Sequence, residues 1–133
     1  MRKWVKAITY VPKISAVISG DCRQTIREGN SVNVGDEILF HGWEAQPYRS
    51  KWNWRMRVVV TEAIPIHVDY NIGIGFFNFP HEQITRYGWN SELVNTIARR
   101  DFVDPPTGIE LRDVLFGLNR KKGDTMQMQI IRW

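Results

Sequence analysis

Apolar and polar positions change period several times along the chain, and each change marks an element. Residues 6–10 suit a short strand. Pro12 then fits a first helical position, Ile14, Val17 and Ile18 recur at helical spacing, and Gly20 is placed to end that helix in a left-handed cap. Residues 24–27 form a short extended piece closed by the turn Glu28-Gly29-Asn30. A second turn, Val34-Gly35-Asp36-Glu37, feeds a strand over residues 38–43. Alternation is strongest over 51–62, where Trp52, Trp54, Met56, Val58 and Val60 are predicted on one face and Lys51, Asn53, Arg55 and Arg57 on the other. Residues 64–68 and 72–77 read as further short strands, with Gly73 and Gly75 suggesting a bend or bulge.

Helical spacing returns late. Asn90 or Ser91 caps a predicted helix with Leu93, Val94, Ile97 and Ala98 on one face. Thr107-Gly108-Ile109-Glu110, after Pro105-Pro106, has the form of a capping box and opens a second helix to about residue 118. Residues 119–124 are a charged turn, and Met126, Met128 and Ile130 alternate with Gln127, Gln129 and Ile131 in a closing strand. The predicted class is α+β. The expected architecture is a small mixed β-barrel, flanked by a helix near the N-terminus and two helices before the last strand, over one domain spanning 1–133.

Composition narrows the setting. Apolar residues at 43% and charged residues at 24% belong to ordinary globular chains, which excludes disorder as the main state. The lone cysteine, Cys22, has no internal disulfide partner, and no stretch approaches the roughly 20 apolar residues of a membrane helix. No apolar run suited to a signal peptide follows Arg2, Lys3 and Lys6, so the expected compartment is the cytoplasm. The net charge of +4 favours polyanionic partners, and six tryptophans supply surfaces on which a base can stack.

Chemistry concentrates first in Gly20-Asp21-Cys22-Arg23-Gln24-Thr25-Ile26-Arg27. A helix that ends at glycine and drops into an extended segment presents backbone N–H groups beside side chains. With the Thr25 hydroxyl and the Arg23 and Arg27 cations, it suits a phosphate or a polar base edge; alternatively these residues only cap and solvate a turn. The segment from Ile18 to Arg27 resembles the ASCH family of the PUA-like superfamily, whose signature is Gly-x-Lys-x-x-Thr-x-Arg. Val34-Gly35-Asp36-Glu37-Ile38 is similar to the stretch by which that family enters its barrel. The resemblance implies a PUA-like β-barrel with a cleft beside the motif and a role in recognising RNA or modified nucleosides. Gly20, Thr25 and Arg27 match the signature, whereas Cys22 stands at the lysine position.

Some small proteins similar to that family are amidohydrolases that deacetylate acetylated cytidine with the motif lysine and threonine and a later glutamate. Carried over, this makes Thr25 a nucleophile without its lysine, and leaves Glu62, Glu82 and Glu92 as carboxylates by position only. Arg23 cannot act as the missing base, because it keeps its proton. Cys22 is either an inert, partly buried thiol or a nucleophile activated by neighbouring cations.

A second constellation runs from Tyr48 to Arg57. Lys51, Arg55 and Arg57 fall on one side of the predicted strand and can follow a phosphate backbone, while Trp52 stacks on a base; the other reading makes the tryptophans core and the cations a solvated face. The preceding loop, with Trp43, Gln46, Tyr48 and Arg49, can fold over the motif cleft. His41, His67 and His81 lack metal-ligand spacing, so neither a metal nor a cofactor is expected. Gly73-Ile74-Gly75 lacks the third glycine and the helix of a dinucleotide fingerprint. Arg99-Arg100 and Arg120-Lys121-Lys122 read as a helix end and a soluble turn.

The expectation is a monomeric module that binds RNA or a modified nucleoside through Gly20, Arg23, Thr25, Arg27, Trp43, Tyr48, Arg49, Lys51, Trp52 and Arg55. The first alternative is a small amidohydrolase or ribonuclease with Thr25 or Cys22 as nucleophile. The second is a protein-interaction domain using the exposed aromatics.

Overall fold

The computed structural model describes residues 1–43, 51–78, 83–118 and 123–133, with Asn78, Gln83 and Leu118 described by backbone alone. The elements run β1 (Lys3–Ala7), α1 (Val11–Ser19), β2 (Gln24–Glu28), β3 (Glu37–Trp43), β4 (Trp52–Val59), β5 (Glu62–Asp69), β6 (Gly73–Asn78), β7 (Gln83–Tyr87), α2 (Glu92–Arg100), α3 (Gly108–Leu118) and β8 (Thr125–Arg132). The class is α+β, with one helix near the start and two before the last strand. No helix among the described residues is long and apolar enough to cross a membrane.

The strands form two sheets, β1-β3-β4 and β2-β8-β5-β6-β7, not a closed barrel. The pairing β1–β3 is parallel, and every other ladder is antiparallel. Alternation predicts one long strand over 51–62, but the chain changes sheets at Val60-Thr61. Val60 exchanges backbone hydrogen bonds with the 33–36 turn, while the Thr61 N–H donates to the Arg132 carbonyl. This stitch joins the sheets at one corner. A buried period-two pattern is the same in an open sheet and a barrel, so closure is not written in it.

Two apolar clusters form the core. The larger lies between the five-stranded sheet and helices α2 and α3, around Ile66, Ile74, Val94, Leu111 and Ile130. The smaller joins α1 to β3 and β8 through Val17, Ile38, Phe40 and Ile131, and Cys22 belongs to it. Helix starts follow their sequence signals. The Ser91 and Thr107 hydroxyls accept from the Val94 and Glu110 N–H groups.

Helix α1 departs from its apolar pattern. Its buried positions are Lys13, Ala16 and Val17, whereas Ile18 is 51% exposed. Lys13 turns inward because it has a buried ionic partner, described below, and this rotates the helix away from the face expected from apolar spacing.

The tryptophan stretch is corrected as well. The register slips between Gly42 and Trp43, with Gly42 opposite Trp54 and Trp43 opposite Trp52. The extra residue turns Trp52 onto the face of His41 and Trp43, while Trp54 stays over Gly42 and packs against the smaller core. Gly42 has no side chain because the Trp54 indole occupies that space.

Asp36 organises the entrance to the first sheet. Its carboxylate accepts from the Arg2 N–H at 3.0 Å, the Trp4 Nε1 at 3.0 Å and the Asn33 N–H at 2.9 Å. These bonds hold its pKa down at about 2, against an ordinary value of 3.8. A depressed folded-state pKa stabilises the fold above the unfolded value and ceases to do so as pH falls through the folded one. The stability advantage of the wild type over Asp36→Asn should therefore be constant above about pH 4 and shrink toward pH 2. Thermal unfolding of both proteins across that window checks it, and a difference that grows with acid would contradict this role.

Candidate functional site

The end of α1 places the motif. Gly20 has φ +86°, and its N–H donates to the Val17 carbonyl, giving the predicted left-handed cap. The Cys22 N–H then donates to the Ala16 carbonyl at 2.9 Å, which turns the chain down into β2. Along β2, Gln24, Thr25 and Ile26 are buried, Arg27 is half-buried and Glu28 is exposed.

Thr25 and Arg27 line a cleft of about 490 Å³ with Lys6, Tyr10, Lys13, Glu28 and Asp101. Its apolar wall includes Ile8, Ile26, Val114, Leu115 and Met128. Arg27 is positioned by a hydrogen bond from its NH2 group to the Ala7 carbonyl at 2.7 Å. Its Nε donates to the Thr25 Oγ1 at 3.2 Å. The threonine oxygen is thereby an acceptor, and its own proton can be donated elsewhere. Burial, and after it the neighbouring Arg27 cation, push the Lys6 ammonium pKa down. Lys6, Lys13 and Arg27 share the lining with Glu28 and Asp101, three cations against two carboxylates, a small positive surplus that favours an anion.

The cleft also holds a buried ion pair. Lys13 Nζ and Asp101 Oδ1 are 3.0 Å apart, with side chains 6% and 7% exposed. Lys13 lies in the first turn of α1, and Asp101 caps the C-terminus of α2. Each charge opposes its own helix dipole, so neither helix alone accounts for it. The Asp101 Oδ1 also accepts from Gln24 Nε2 at 3.3 Å, and Gln24 Oε1 accepts from Arg132 Nε at 3.0 Å. Behind the motif, this makes a polar chain through the core.

Cys22, at the signature lysine position, does not line the cleft. It is fully buried, with Sγ 3.4 Å from the Gln24 carbonyl oxygen and 3.5 Å from that of Arg100. Burial pushes its pKa up, partly offset by the Lys13 ammonium. A nucleophilic thiol needs the opposite setting. Gly20 and Arg23 are exposed and also stand outside the cleft lining, and the Arg23 carbonyl accepts from the Trp133 N–H.

The second constellation assembles in part. Trp52 stacks on His41 with centroids 3.8 Å apart, Trp43 meets His41 edge-on, and the Arg55 guanidinium lies 5.1 Å from the Trp52 centroid. Burial, the largest cause, pushes the His41 pKa down. Lys51 is exposed at the foot of β4, while Arg57 pairs with Glu37 at 2.9 Å. Ala7 connects this group to the cleft, since it faces His41 across the β1–β3 ladder and its carbonyl holds Arg27. Tyr48 and Arg49, and with them Gln46, His81, Glu82 and the 120–122 turn, lie outside the described residues.

No protein-family model, curated protein or solved structure matches this chain. The site therefore rests on its own geometry. Of the carboxylates considered from sequence, Glu62 pairs with Arg132 and Glu92 with Arg99, and neither lines the cleft. The carboxylates that do are Asp101 and Glu28, and with Lys6 and Lys13 they are the residues sequence reasoning missed. A lysine in register with Ala16 and Val17 on a helix face was the available signal for Lys13. Among the described residues, no group of three His, Cys, Asp or Glu side chains is placed to hold a metal ion.

Proposed function

We propose that the protein binds RNA, or a modified nucleoside within it, in the cleft beside Thr25 and Arg27. The observation that carries this reading is the meeting of Lys6, Thr25 and Arg27 in one cleft of about 490 Å³ that also has apolar side chains in its wall, with Lys13 paired to Asp101 behind them. An apolar wall suits the face of a base, the hydroxyl suits its edge, and the cations suit phosphate. The Trp43, Trp52 and Arg55 group, one strand away, offers further stacking and charge to a longer strand. On this reading the two sheets and three helices are a PUA-like fold of the ASCH type, working as a monomer in the cytoplasm.

Fluorescence anisotropy with a labelled single-stranded RNA tests it. Binding should weaken with salt, and both Arg27→Ala and Lys6→Ala should weaken it by about tenfold, the scale of one lost charge-assisted contact. Binding that ignores salt and both substitutions would sink the proposal.

The Lys13–Asp101 pair favours a second reading, an amidohydrolase acting on an acylated nucleoside. It brings an ammonium and a carboxylate to the cleft that Thr25 lines, although position 22 holds no lysine. In the same RNA-binding preparations, release of acetate from acetylated cytidine that is lost in Thr25→Ala would decide for catalysis. No release would leave the protein a binder.

A further inference from the structure

A second concavity lies away from the motif, where α2 crosses the five-stranded sheet. It is a groove of about 320 Å³ whose walls are mainly Ile64, Phe76, Tyr87, Leu93, Ile97 and Ile130. Phe76 and Tyr87 meet edge-on at 5.8 Å on the β6–β7 side. Leu93 is 40% exposed on the helical side. Such a slot is suited to an apolar body.

The groove is not apolar throughout. Arg132, on β8, belongs to its lining, and its side chain is 14% exposed. Its Nε donates to Gln24 Oε1 at 3.0 Å, which fixes the plane of the guanidinium. A carboxylate oxygen of Glu62 is 3.5 Å from NH1, and that side chain is 49% exposed. Burial and then Arg100 lower the Arg132 pKa, and Glu62 only partly opposes them. The slot thus ends in a half-buried guanidinium whose carboxylate neighbour is largely solvated, which favours an incoming anion.

We propose that this groove is a binding site for a small apolar monocarboxylate, with its carboxylate at Arg132 and its hydrocarbon body running toward Phe76, Tyr87 and Leu93. A carboxylate matches the guanidinium as a paired acceptor, and its tail buries against side chains that otherwise face water. Charge complementarity selects an acid over a neutral amphiphile. The site is independent of the RNA reading, since neither Thr25 nor Arg27 lines it.

Octanoate and 1-octanol, titrated separately into the isotopically labelled full chain, separate the contributions of charge and tail. Octanoate should shift the backbone amide signals of Leu93, Ile97, Ile130 and Arg132, and 1-octanol should bind at least about tenfold more weakly, the scale of a charge-assisted hydrogen bond. Arg132→Gln should erase that preference. Leu93→Trp, at a solvent-facing position that leaves Arg132 in place, should fill the groove and abolish the octanoate shifts. It keeps the test decisive if Arg132→Gln fails to fold. Equal binding of acid and alcohol, shifts confined to other residues, octanoate shifts that survive Leu93→Trp, or no shifts at about 1 mM octanoate would each overturn the proposal.

Discussion

Lys13→Met should destabilise the fold by about 3–5 kcal/mol, the cost of leaving one half of a buried ion pair behind. Methionine keeps the length and apolar stem of lysine, so packing in α1 changes little. What changes is Asp101, whose carboxylate is 7% exposed on its side chain and keeps only the Gln24 amide as a side-chain hydrogen-bond partner among the described residues. Gln24 is itself 1% exposed and tied to Arg132, so the disturbance is not local to the cleft. In a domain of this size the loss corresponds to a fall in Tm of roughly 10–20 °C. The urea midpoint should drop with an unchanged slope. The double variant Lys13→Met/Asp101→Leu should recover part of the loss, because it removes the stranded charge together with the pair. A cost for the single variant below about 1 kcal/mol, typical of exposed pairs, would show that the interior admits water there.

The second large effect is expected at a glycine. Gly73 opens β6 with φ +140°, a backbone conformation that side chains rarely adopt, and a Cβ there would overlap the Tyr87 carbonyl oxygen. The obstacle is backbone of the neighbouring strand, which no rotamer change can move. The turn before it is latched in place, since the Trp89 Nε1 donates to the carbonyls of Asp69 and Tyr70. Gly73→Ala should therefore cost about 1–3 kcal/mol for the dihedral and a similar amount for the overlap. Gly29→Ala is the comparison, because Gly29 has φ +89° but open space where its Cβ would go. It should cost only about 1–2 kcal/mol, the price of the left-handed conformation alone. Equal losses in the two variants, read from urea unfolding, would show that β6 and β7 do not approach as closely as described. Gly73-Ile74-Gly75 thus acts in strand packing. At Gly75 the space for a side chain is taken by Ile84 Cγ2.

Local signals in the chain fix structure where local chemistry suffices. A hydroxyl before a helix caps it whatever the fold, so Ser91 and Thr107 were legible, and so was Gly20 as a left-handed terminator. Strand β7 was not legible, because Gln83-Ile84-Thr85-Arg86-Tyr87 is short and largely polar and, among the described residues, pairs along β6 alone. The split between Trp52 and Trp54 was hidden for another reason. Strict alternation puts them on one face, and only the register against β3, with its slip at Gly42, separates them.

The candidate site divides the same way. Thr25 and Arg27 are legible in the sequence because a two-residue period puts them on one side of a strand. Their partners came from elsewhere in the chain. Lys6, Lys13 and Asp101 meet Thr25 only because β1, α1 and the end of α2 converge there, and Asp101 is 88 residues from Lys13. By itself the sequence determined the three helices and their caps, most of the strands, the cationic balance and the motif strand, which depend on composition and on interactions over a few residues. Tertiary structure alone decided that the sheets stay open, that Cys22 is core, and that a lysine from helix α1 enters the cleft. Those outcomes depend on which distant surfaces pack together, and burial and charge pairing at that range leave no fixed spacing in the chain.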